Sequence, residues 1–354
     1  MAYPTIHLRD VAPPPRFMTS WERLRHKEAH WLVEMIAEMF GVFLYVYAGL
    51  GATAAFIVGT ITGEGGIGCQ STFLPLYTVG FAYAIGIVLA VTLCSATSGG
   101  HFSPGVTITF VLFKGFPVRK AARYIFAQIL GGYLTCLIVY VQWKDLLVVA
   151  EGVLRDKGLY ESMMFSPSGP AGAFALYVMP GTNLHRVLMN EFVTDFIIGL
   201  AICGCLDPTN HMIPPAAAPW LIGFTYSVAI WGYSPTAIAA NTARDLGGRF
   251  MALTIWGTQA AGGPYAAISA LTNIPATILA AVVYDLFLGS STRTLSPNHI
   301  NFLGAHKKYL EDNSLAPEGY LSALGPDRDA ASSRSFDEKH IGDSVVMEVA
   351  SRRV

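Results

Sequence analysis

Charged residues are scarce in this sequence: they make up 13% of its 354 residues, whereas hydrophobic residues make up 53%. A typical water-soluble domain carries about 25% charged residues. The composition therefore indicates a chain that crosses a membrane several times. The formal net charge of −1 at pH 7 leaves no broad basic surface, so we expect no nucleic-acid partner.

Cysteine is scarce too, and none of the cysteines shows the CxxC or Cys/His spacing of metal ligands. The five are Cys69, Cys94, Cys136, Cys203 and Cys205. Most lie in apolar stretches, which favours small core residues over disulfides. We expect no metal site, no cofactor and no enzymatic activity.

The amino-terminal segment does not have the pattern of a signal peptide. Residues 1–20 hold charges and four prolines without an apolar run, so we expect no cleavable signal peptide.

Hydrophobic runs are abundant, and six of them are predicted to be membrane-spanning helices. They cover about residues 30–57, 73–96, 122–143, 187–206, 219–231 and 258–288. We therefore predict an all-α polytopic membrane protein. Its membrane domain, residues 30–290, lies between a tail of residues 1–29 and a polar tail of residues 291–354, which we expect to be largely disordered.

Two polar segments interrupt this pattern. The first, Ser98–Thr107, has the sequence SGGHFSPGVT, and the second, Ile238–Arg249, has the sequence IAANTARDLGGR. Each contains a residue suited to cap a helix, Ser103 or Asn241, before a short run of about ten residues, or about 15 Å of helix. Two such re-entrant half-helices meeting end to end would span a hydrocarbon core of roughly 30 Å. Because their first amides need polar partners, both must lie inside the protein, which indicates a pore.

The chain therefore divides into two similar halves, residues 30–143 and 187–290, joined by a loop over 144–186. Each half contains two spans, a re-entrant half-helix and a third span. An odd number of crossings gives the halves opposite orientations, so we predict an inverted repeat. Basic residues concentrate in the amino-terminal tail and between the second and third spans. This predicts cytoplasmic termini, because six crossings return the chain to its starting side.

These motifs resemble those of the major intrinsic proteins, the aquaporins and aquaglyceroporins, over about residues 30–290. Ser98–Thr107 is similar to the family pattern Ser-Gly-(Gly/Ala)-His-X-Asn-Pro-Ala-Val-Thr, and the second segment to Asn-Pro-Ala-Arg. The resemblance places the central constriction at Ser103, Pro104, Gly105, Asn241, Thr242 and Ala243. Relative to the family, Ser103 replaces an asparagine, Gly105 an alanine and Thr242 a proline.

Two of these substitutions lead to expectations about local structure. Serine is as good an N-cap as asparagine, so we expect Ser103 to act mainly as a helix cap. Thr242 removes the proline that would fix the second turn, and we expect its hydroxyl to contact backbone instead. Together they predict a modestly altered constriction.

The family has a second, narrower filter toward the outer mouth. By spacing from the two motifs, the resemblance places it at Tyr83, Ala229, Ile238 and Arg244. Water-specific members have histidine at the position of Ala229, so a methyl group here implies a wider aperture. Tyr83 and Ile238 then offer an apolar wall opposite Arg244, which suits a polyol such as glycerol.

The resemblance also implies four structural supports. Glu38 and Glu191 are expected to accept hydrogen bonds from the backbone leading into the half-helices, with Gln128 and His101 as further supports. His101 either anchors its loop by hydrogen bonding or faces the cytoplasmic vestibule. Asp195 is outside the family pattern and has no assigned role.

The resemblance implies a passive channel for small neutral solutes, water plus glycerol, with hydrogen peroxide or urea as further candidates, that excludes ions and protons. It also implies a homotetramer in lipid, and we expect the plasma membrane to be its location.

Asp245 and Arg249 match the glycerol-conducting branch of the family, or they form only a local pair at i and i+4. Two alternatives stay open: a proton-coupled secondary transporter using Glu38 or Glu191, and a non-conducting aquaporin-like membrane protein.

Overall fold

A computed structural model describes residues 15, 18–63, 74–233, 235, 237–302 and 304. Every regular element among these residues is a helix, and the predicted all-α fold is confirmed. Cys69, most of the amino-terminal tail and the carboxyl-terminal tail beyond residue 304 lie outside the described residues. Of the other cysteines, Cys94, Cys136 and Cys205 are buried free thiols and Cys203 is a half-buried one.

The helices are numbered in chain order. They are α1 Thr19–His26, α2 His30–Thr62, α3 Leu74–Ser98, α4 Pro104–Phe113, α5 Val118–Asp156, α6 Tyr160–Met163, α7 Leu184–Leu206, α8 Ala218–Gly232, α9 Thr242–Trp256, α10 Tyr265–Leu271 and α11 Asn273–Val283. Short 3₁₀ helices cover Pro170–Ala173 and Thr258–Ala261, and a π-helical turn over Tyr284–Leu288 continues α11.

Five helical segments are long and apolar enough to cross a membrane. They are His30–Thr62, Tyr77–Ser98, Val118–Asp156, Leu184–Leu206 and Tyr265–Leu288. The sixth predicted span is α8, whose 15 residues begin and end within one residue of the predicted bounds. At 1.5 Å per residue it is only about 22 Å long, shorter than a typical hydrocarbon core. It packs against α3 and α7 in the position expected of a span.

The predicted boundary at residue 143 was wrong. α5 continues to Asp156, because residues 144–156 lack proline and place Leu147, Ala150 and Leu154 on one buried helical face. The connection between the halves therefore begins with more than three turns of helix.

The predicted start of the last span at residue 258 was also wrong. Gly262 and Gly263, with φ of 83° and 59°, separate a 3₁₀ turn from α10, which begins at Tyr265. A second break at Thr272 divides α10 from α11. Pro275 explains this break, because it has no N–H to offer the carbonyl of Leu271 and its ring crowds that carbonyl.

The helix packing has the symmetry of an inverted repeat. In the first half α2 packs against α3 and α5, and in the second half α7 packs against α8 and α11. The half-helices are exchanged between the halves: α4 packs against α11, and α9 packs against α5. Glycine permits this second contact, since a Cβ at Gly132 of α5 would lie only 2.7 Å from the carbonyl oxygen of Ala243.

The outer faces of the long helices carry exposed apolar side chains. Examples are Leu93, Phe126 and Val141, which are 61% to 70% exposed. Such faces are suited to contact with lipid hydrocarbon, where exposed leucine, phenylalanine and valine side chains carry no free-energy penalty of contact with water. The polar side chains of the two half-helices are buried at the centre of the molecule instead.

Candidate functional site

The N-termini of the two half-helices meet at Asn241. Its Oδ1 accepts hydrogen bonds from the backbone N–H groups of Ala243 at 2.8 Å and Arg244 at 3.4 Å, so the side chain caps α9. Its Nδ2 donates at 2.8 Å to the carbonyl oxygen of Phe102, the residue just before the N-cap of α4. One side chain therefore caps its own half-helix and joins it to the other.

Ser103 occupies the N-cap position of α4 but does not cap it through its side chain. Its extended backbone leads into Pro104 in the first turn, and its carbonyl accepts the first helical bond from Thr107 N–H at 2.9 Å. Its hydroxyl instead donates at 3.1 Å to Oδ1 of Asn273, at the start of α11. The prediction that Ser103 acts mainly as a side-chain cap was wrong, because α11 offers the hydroxyl a competing acceptor.

The remaining residues of the predicted constriction are all buried. Gly105 lies against the side chain of Asn273, and Ala243 lies against Gly132 of α5. The hydroxyl of Thr242 is buried and has no hydrogen-bond partner among the described residues. The expectation that this hydroxyl contacts backbone was therefore wrong, and the side-chain cap of α9 comes from Asn241.

Glu38 is the centre of a fully buried hydrogen-bond network. Its Oε1 accepts from Ser98 Oγ at 2.6 Å and His101 N at 3.0 Å, and its Oε2 accepts from Phe102 N at 2.8 Å and Gln128 Nε2 at 2.7 Å. The backbone leading into α4 thus donates two hydrogen bonds, from His101 and Phe102, to one carboxylate. A buried carboxylate requires such donors, and here each oxygen has two.

His101 is packed into the same network. His101 Nδ1 lies 2.8 Å from Thr107 Oγ1, and that hydroxyl also lies 2.9 Å from the Ser103 carbonyl oxygen, to which it can donate. Its ring lies among those of Phe110, Phe116 and Tyr124 with centroid distances of 4.8 to 5.3 Å. His101 is buried, and this environment favours an anchor of the loop over a group facing a vestibule.

Glu191 has the corresponding place in the second half but fewer partners. Its Oε1 accepts from Ala239 N at 2.9 Å and from the Tyr265 hydroxyl at 3.3 Å. Its Oε2 is buried and has no partner among the described residues, as is true of both carboxylate oxygens of Asp195 one turn later. The two halves therefore hold their loops with unequal strength.

At the predicted outer filter, Arg244 and Tyr83 are brought together. Arg244 Nε lies 3.4 Å from the Tyr83 hydroxyl oxygen and donates to it, and Nη1 donates at 2.8 Å to the carbonyl oxygen of Phe174. The Tyr83 ring packs on the backbone of α2 at Gly49, where a Cβ would overlap it. Arg244 as a whole residue is 5% exposed, so a fixed positive charge lies inside the protein.

Ala229 and Ile238 form the apolar part of the predicted filter. Ala229 is buried in a cluster with Ile198 and Ala240, against which Ile238 and Tyr226 pack. Tyr226 also packs against the main core, as Tyr83 does, so it joins the apolar cluster to that core.

Asp245 and Arg249 form the local i, i+4 pair. Arg249 Nη2 lies 2.7 Å from Asp245 Oδ1, and both side chains are buried. Arg249 also donates to the carbonyl oxygens of Leu176 and Ala261 at 3.2 and 3.0 Å. The pair therefore fastens the connection around Phe174, which in turn holds Arg244.

Sequence reasoning missed three residues of this site. Phe174 contributes through its carbonyl group, which no side-chain pattern reveals. Tyr226 lies one turn before Ala229 on the same face of α8, a spacing that could have revealed it. Asn273 is an amide residue in a largely apolar span, and that signal was visible in the sequence.

Comparison with known proteins agrees with this geometry. A family model described as Major intrinsic protein matches residues 25–261. A protein named Aquaporin-3, from Laccaria bicolor, is 51% identical over 322 residues, which are 89% of this chain and 96% of that protein. A Propanediol uptake facilitator from Salmonella typhimurium is 30% identical over 262 residues, covering 72% of this chain and 93% of its own length.

A solved structure shares the fold. The X-ray structure of the aquaglyceroporin from Plasmodium falciparum matches with a TM-score of 0.61 and 20% identity, covering 73% of this chain and 97% of that one. The sequence matches are long, and the family model covers well over half of the chain. The chain therefore belongs to the major intrinsic protein family of integral membrane channels.

Proposed function

We propose that this protein is a passive channel for water and glycerol, with hydrogen peroxide and urea as further solutes, and that it excludes ions and protons. The observation that carries the proposal is the environment of Arg244. Its buried guanidinium is fixed by Phe174 and Tyr83, while Ala229 and Ile238, the other two predicted filter residues, meet in an apolar cluster. We assign the outer filter to these residues and the central constriction to the two half-helix N-termini.

The arrangement suits a solute with hydroxyl groups on one side and carbons on the other. Arg244 and the Tyr83 hydroxyl offer polar contacts, whereas Ala229 and Ile238 offer only apolar atoms. A small polyol meets both conditions. The similarity to a Propanediol uptake facilitator supports this substrate class, since propanediol has the same arrangement of groups.

Ions are excluded because the site cannot replace their hydration. The apolar wall offers no charge to compensate for lost water. The N-termini of α4 and α9 each contribute roughly +0.5 charge, and Arg244 adds a full positive charge that repels cations and hydronium. The Asn241 amide orients passing water molecules and so interrupts a chain of proton transfer. No step requires a catalytic group.

The assembly and location are part of the same proposal. We infer a homotetramer with one pore per subunit, surrounded by lipid, from the resemblance to the family. Four basic residues lie just after the first half-helix: Lys114 at the end of α4, and Arg119, Lys120 and Arg123 at the start of α5. Their position supports cytoplasmic termini. We propose the plasma membrane as the location from the resemblance to the family.

A proton-coupled transporter using Glu38 is the less favoured alternative. Its carboxylate accepts four hydrogen bonds, so protonating either oxygen would place a proton between two existing donors. Such a group is better suited to hold backbone than to exchange protons.

Replacing Ala229 with His tests the proposed aperture. The imidazole would fill space beside the filter, so Ala229→His is expected to lower glycerol flux into proteoliposomes and to spare water flux. Ala229→Ser, which adds only a hydroxyl group, is the size control and should retain most glycerol flux. Melting temperature in detergent checks that both variants are folded. Equal glycerol flux in the wild type and a folded Ala229→His variant would place the aperture elsewhere.

A further inference from the structure

The two half-helices begin with the same unusual backbone turn. The residues just before their N-caps, Phe102 and Ala240, both have positive φ, at 48° and 53°. This conformation is costly for residues other than glycine, so surrounding contacts must maintain it. In both cases the carbonyl oxygen of the strained residue accepts a hydrogen bond from an asparagine side chain.

The two asparagines come from different places in the chain. The Phe102 oxygen accepts from Nδ2 of Asn241, the N-cap residue of the facing half-helix. The Ala240 oxygen accepts at 3.1 Å from Nδ2 of Asn273, on α11. The symmetry of the repeat would assign this second bond to the N-cap residue of α4, but that residue is Ser103, which has no amide group.

Asn273 is connected to Ser103 as well as to Ala240. Its Oδ1 accepts from the Ser103 hydroxyl at 3.1 Å while its Nδ2 donates to Ala240. The buried asparagine thus spans the distance between the two half-helices that a serine side chain is too short to cross.

Gly105 fits the same arrangement. Gly105 and Ala243 are both the second residue of their half-helices. A Cβ at Gly105 would overlap Oδ1 of Asn273, whose side chain occupies that space. Since Gly105 is not among the positive-φ residues, close approach rather than backbone conformation accounts for the glycine.

We propose that Asn273 is a positioning residue that replaces the missing amide of the first half-helix and sets the width of the central constriction. Ser103, Gly105 and Asn273 then form one unit: the serine and the glycine leave the space that Asn273 fills. Asn273 lies outside residues 25–261, the segment that the family model matches. The effect on solute selection rests on the proposed channel function, whereas the effect on stability does not.

A cycle of variants in the full-length protein tests the proposal. Asn273→Ala removes the hydrogen bonds to Ser103 and Ala240 and should lower the melting temperature in detergent by about 3–6 °C. It should also change the glycerol-to-water permeability ratio severalfold in proteoliposomes. The pair Ser103→Asn with Gly105→Ala should also be destabilising while Asn273 is present, because the added atoms overlap its side chain.

The triple variant, which carries all three changes, is the decisive member. Its melting temperature and its glycerol-to-water permeability ratio should both return most of the way to the wild-type values. The reason is that the Ser103→Asn amide can donate to Ala240 in the space that Asn273→Ala vacates. If its melting temperature falls by the sum of the separate losses, the residues are independent and the proposal is wrong. If Asn273→Ala alone does not fold, folded protein in the triple variant supports the proposal, and its absence contradicts it.

Thr277→Val is the control for local effects in α11. Asn273 Nδ2 also lies 3.4 Å from Thr277 Oγ1, a contact within the helix. The control should leave the permeability ratio near that of the wild type. A change as large as that of Asn273→Ala would assign the effect to α11 itself and overturn the proposal. A wild type that conducts no solute would contradict the proposed function, while the melting temperatures would still test the role of Asn273.

Discussion

Arg244 Nη1 donates a 2.8 Å hydrogen bond to the carbonyl oxygen of Phe174, in the connection between the two halves of the protein. The contact fixes the only positive charge that we assign to the filter. It depends on Gly248, where a Cβ would overlap the Phe174 oxygen. The position of the charge is therefore set by the backbone at Phe174 and at Gly248, and two consequences can be measured.

Removing the charge should weaken the barrier to cations. Arg244→Val is expected to admit a proton or cation leak in proteoliposomes loaded with a pH-sensitive dye. Neutral solutes should permeate the variant at least as fast as they permeate the wild type. The leak should be modest, because each half-helix end keeps roughly +0.5 charge. Arg186→Val removes the same charge from an exposed position and should leave proton conductance unchanged. Unchanged conductance in Arg244→Val would mean that the half-helix dipoles alone form the barrier.

Adding a methyl group at Gly248 should displace Phe174 and, with it, Arg244. Gly248→Ala is therefore expected to lower the melting temperature and to change the glycerol-to-water ratio. Gly152→Ala is the matched control, since a Cβ there meets nothing within 4 Å. Gly152 lies within α5 near its carboxyl end, so the control should be neutral or stabilising by about 0.5–1 kcal/mol. Equal melting temperatures for the two variants would show that the segment around Phe174 shifts to accommodate the added methyl group at little cost in stability.

Much of this architecture follows from the sequence alone. Hydrophobic runs predicted where the spans lie, and the spacing of Ser103 and Asn241 predicted two half-helices that begin at Pro104 and Thr242. Such features depend on local composition and capping, which the sequence states directly. The continuation of α5 to Asp156 could not be predicted from hydrophobicity, because residues 144–156 mix charged and apolar residues, which a helix accommodates on opposite faces.

The site was less predictable because it depends on contacts between distant segments. The sequence identified Ser103 as a cap, but the acceptor for its hydroxyl is Asn273, 170 residues away. Likewise, Arg244 was expected at the filter, but its partner is a backbone carbonyl, and every residue has one. Only the exchange of the half-helices between the two halves brings these groups together.

The two buried glutamates should respond differently to the same change. Each oxygen of Glu38 accepts from two donors, so the amide group of Glu38→Gln must face donors in either orientation. Glu191→Gln can keep its oxygen at the bonded position and place its amide at the unpartnered one. We expect Glu38→Gln to lower the melting temperature clearly and Glu191→Gln to lower it much less. Equal losses, or a greater loss for Glu191→Gln, would contradict this difference between the halves.

The central claim, that the protein is a passive channel for small neutral solutes, is tested most directly by glycerol flux in proteoliposomes. Stopped-flow swelling should be measured across a range of glycerol gradients, with and without a pH gradient, against protein-free vesicles. The account predicts flux that rises linearly with the gradient, stops at equilibrium and ignores the pH difference. Saturable accumulation driven by the pH gradient would instead indicate a transporter, and swelling no faster than in protein-free vesicles would indicate a non-conducting protein.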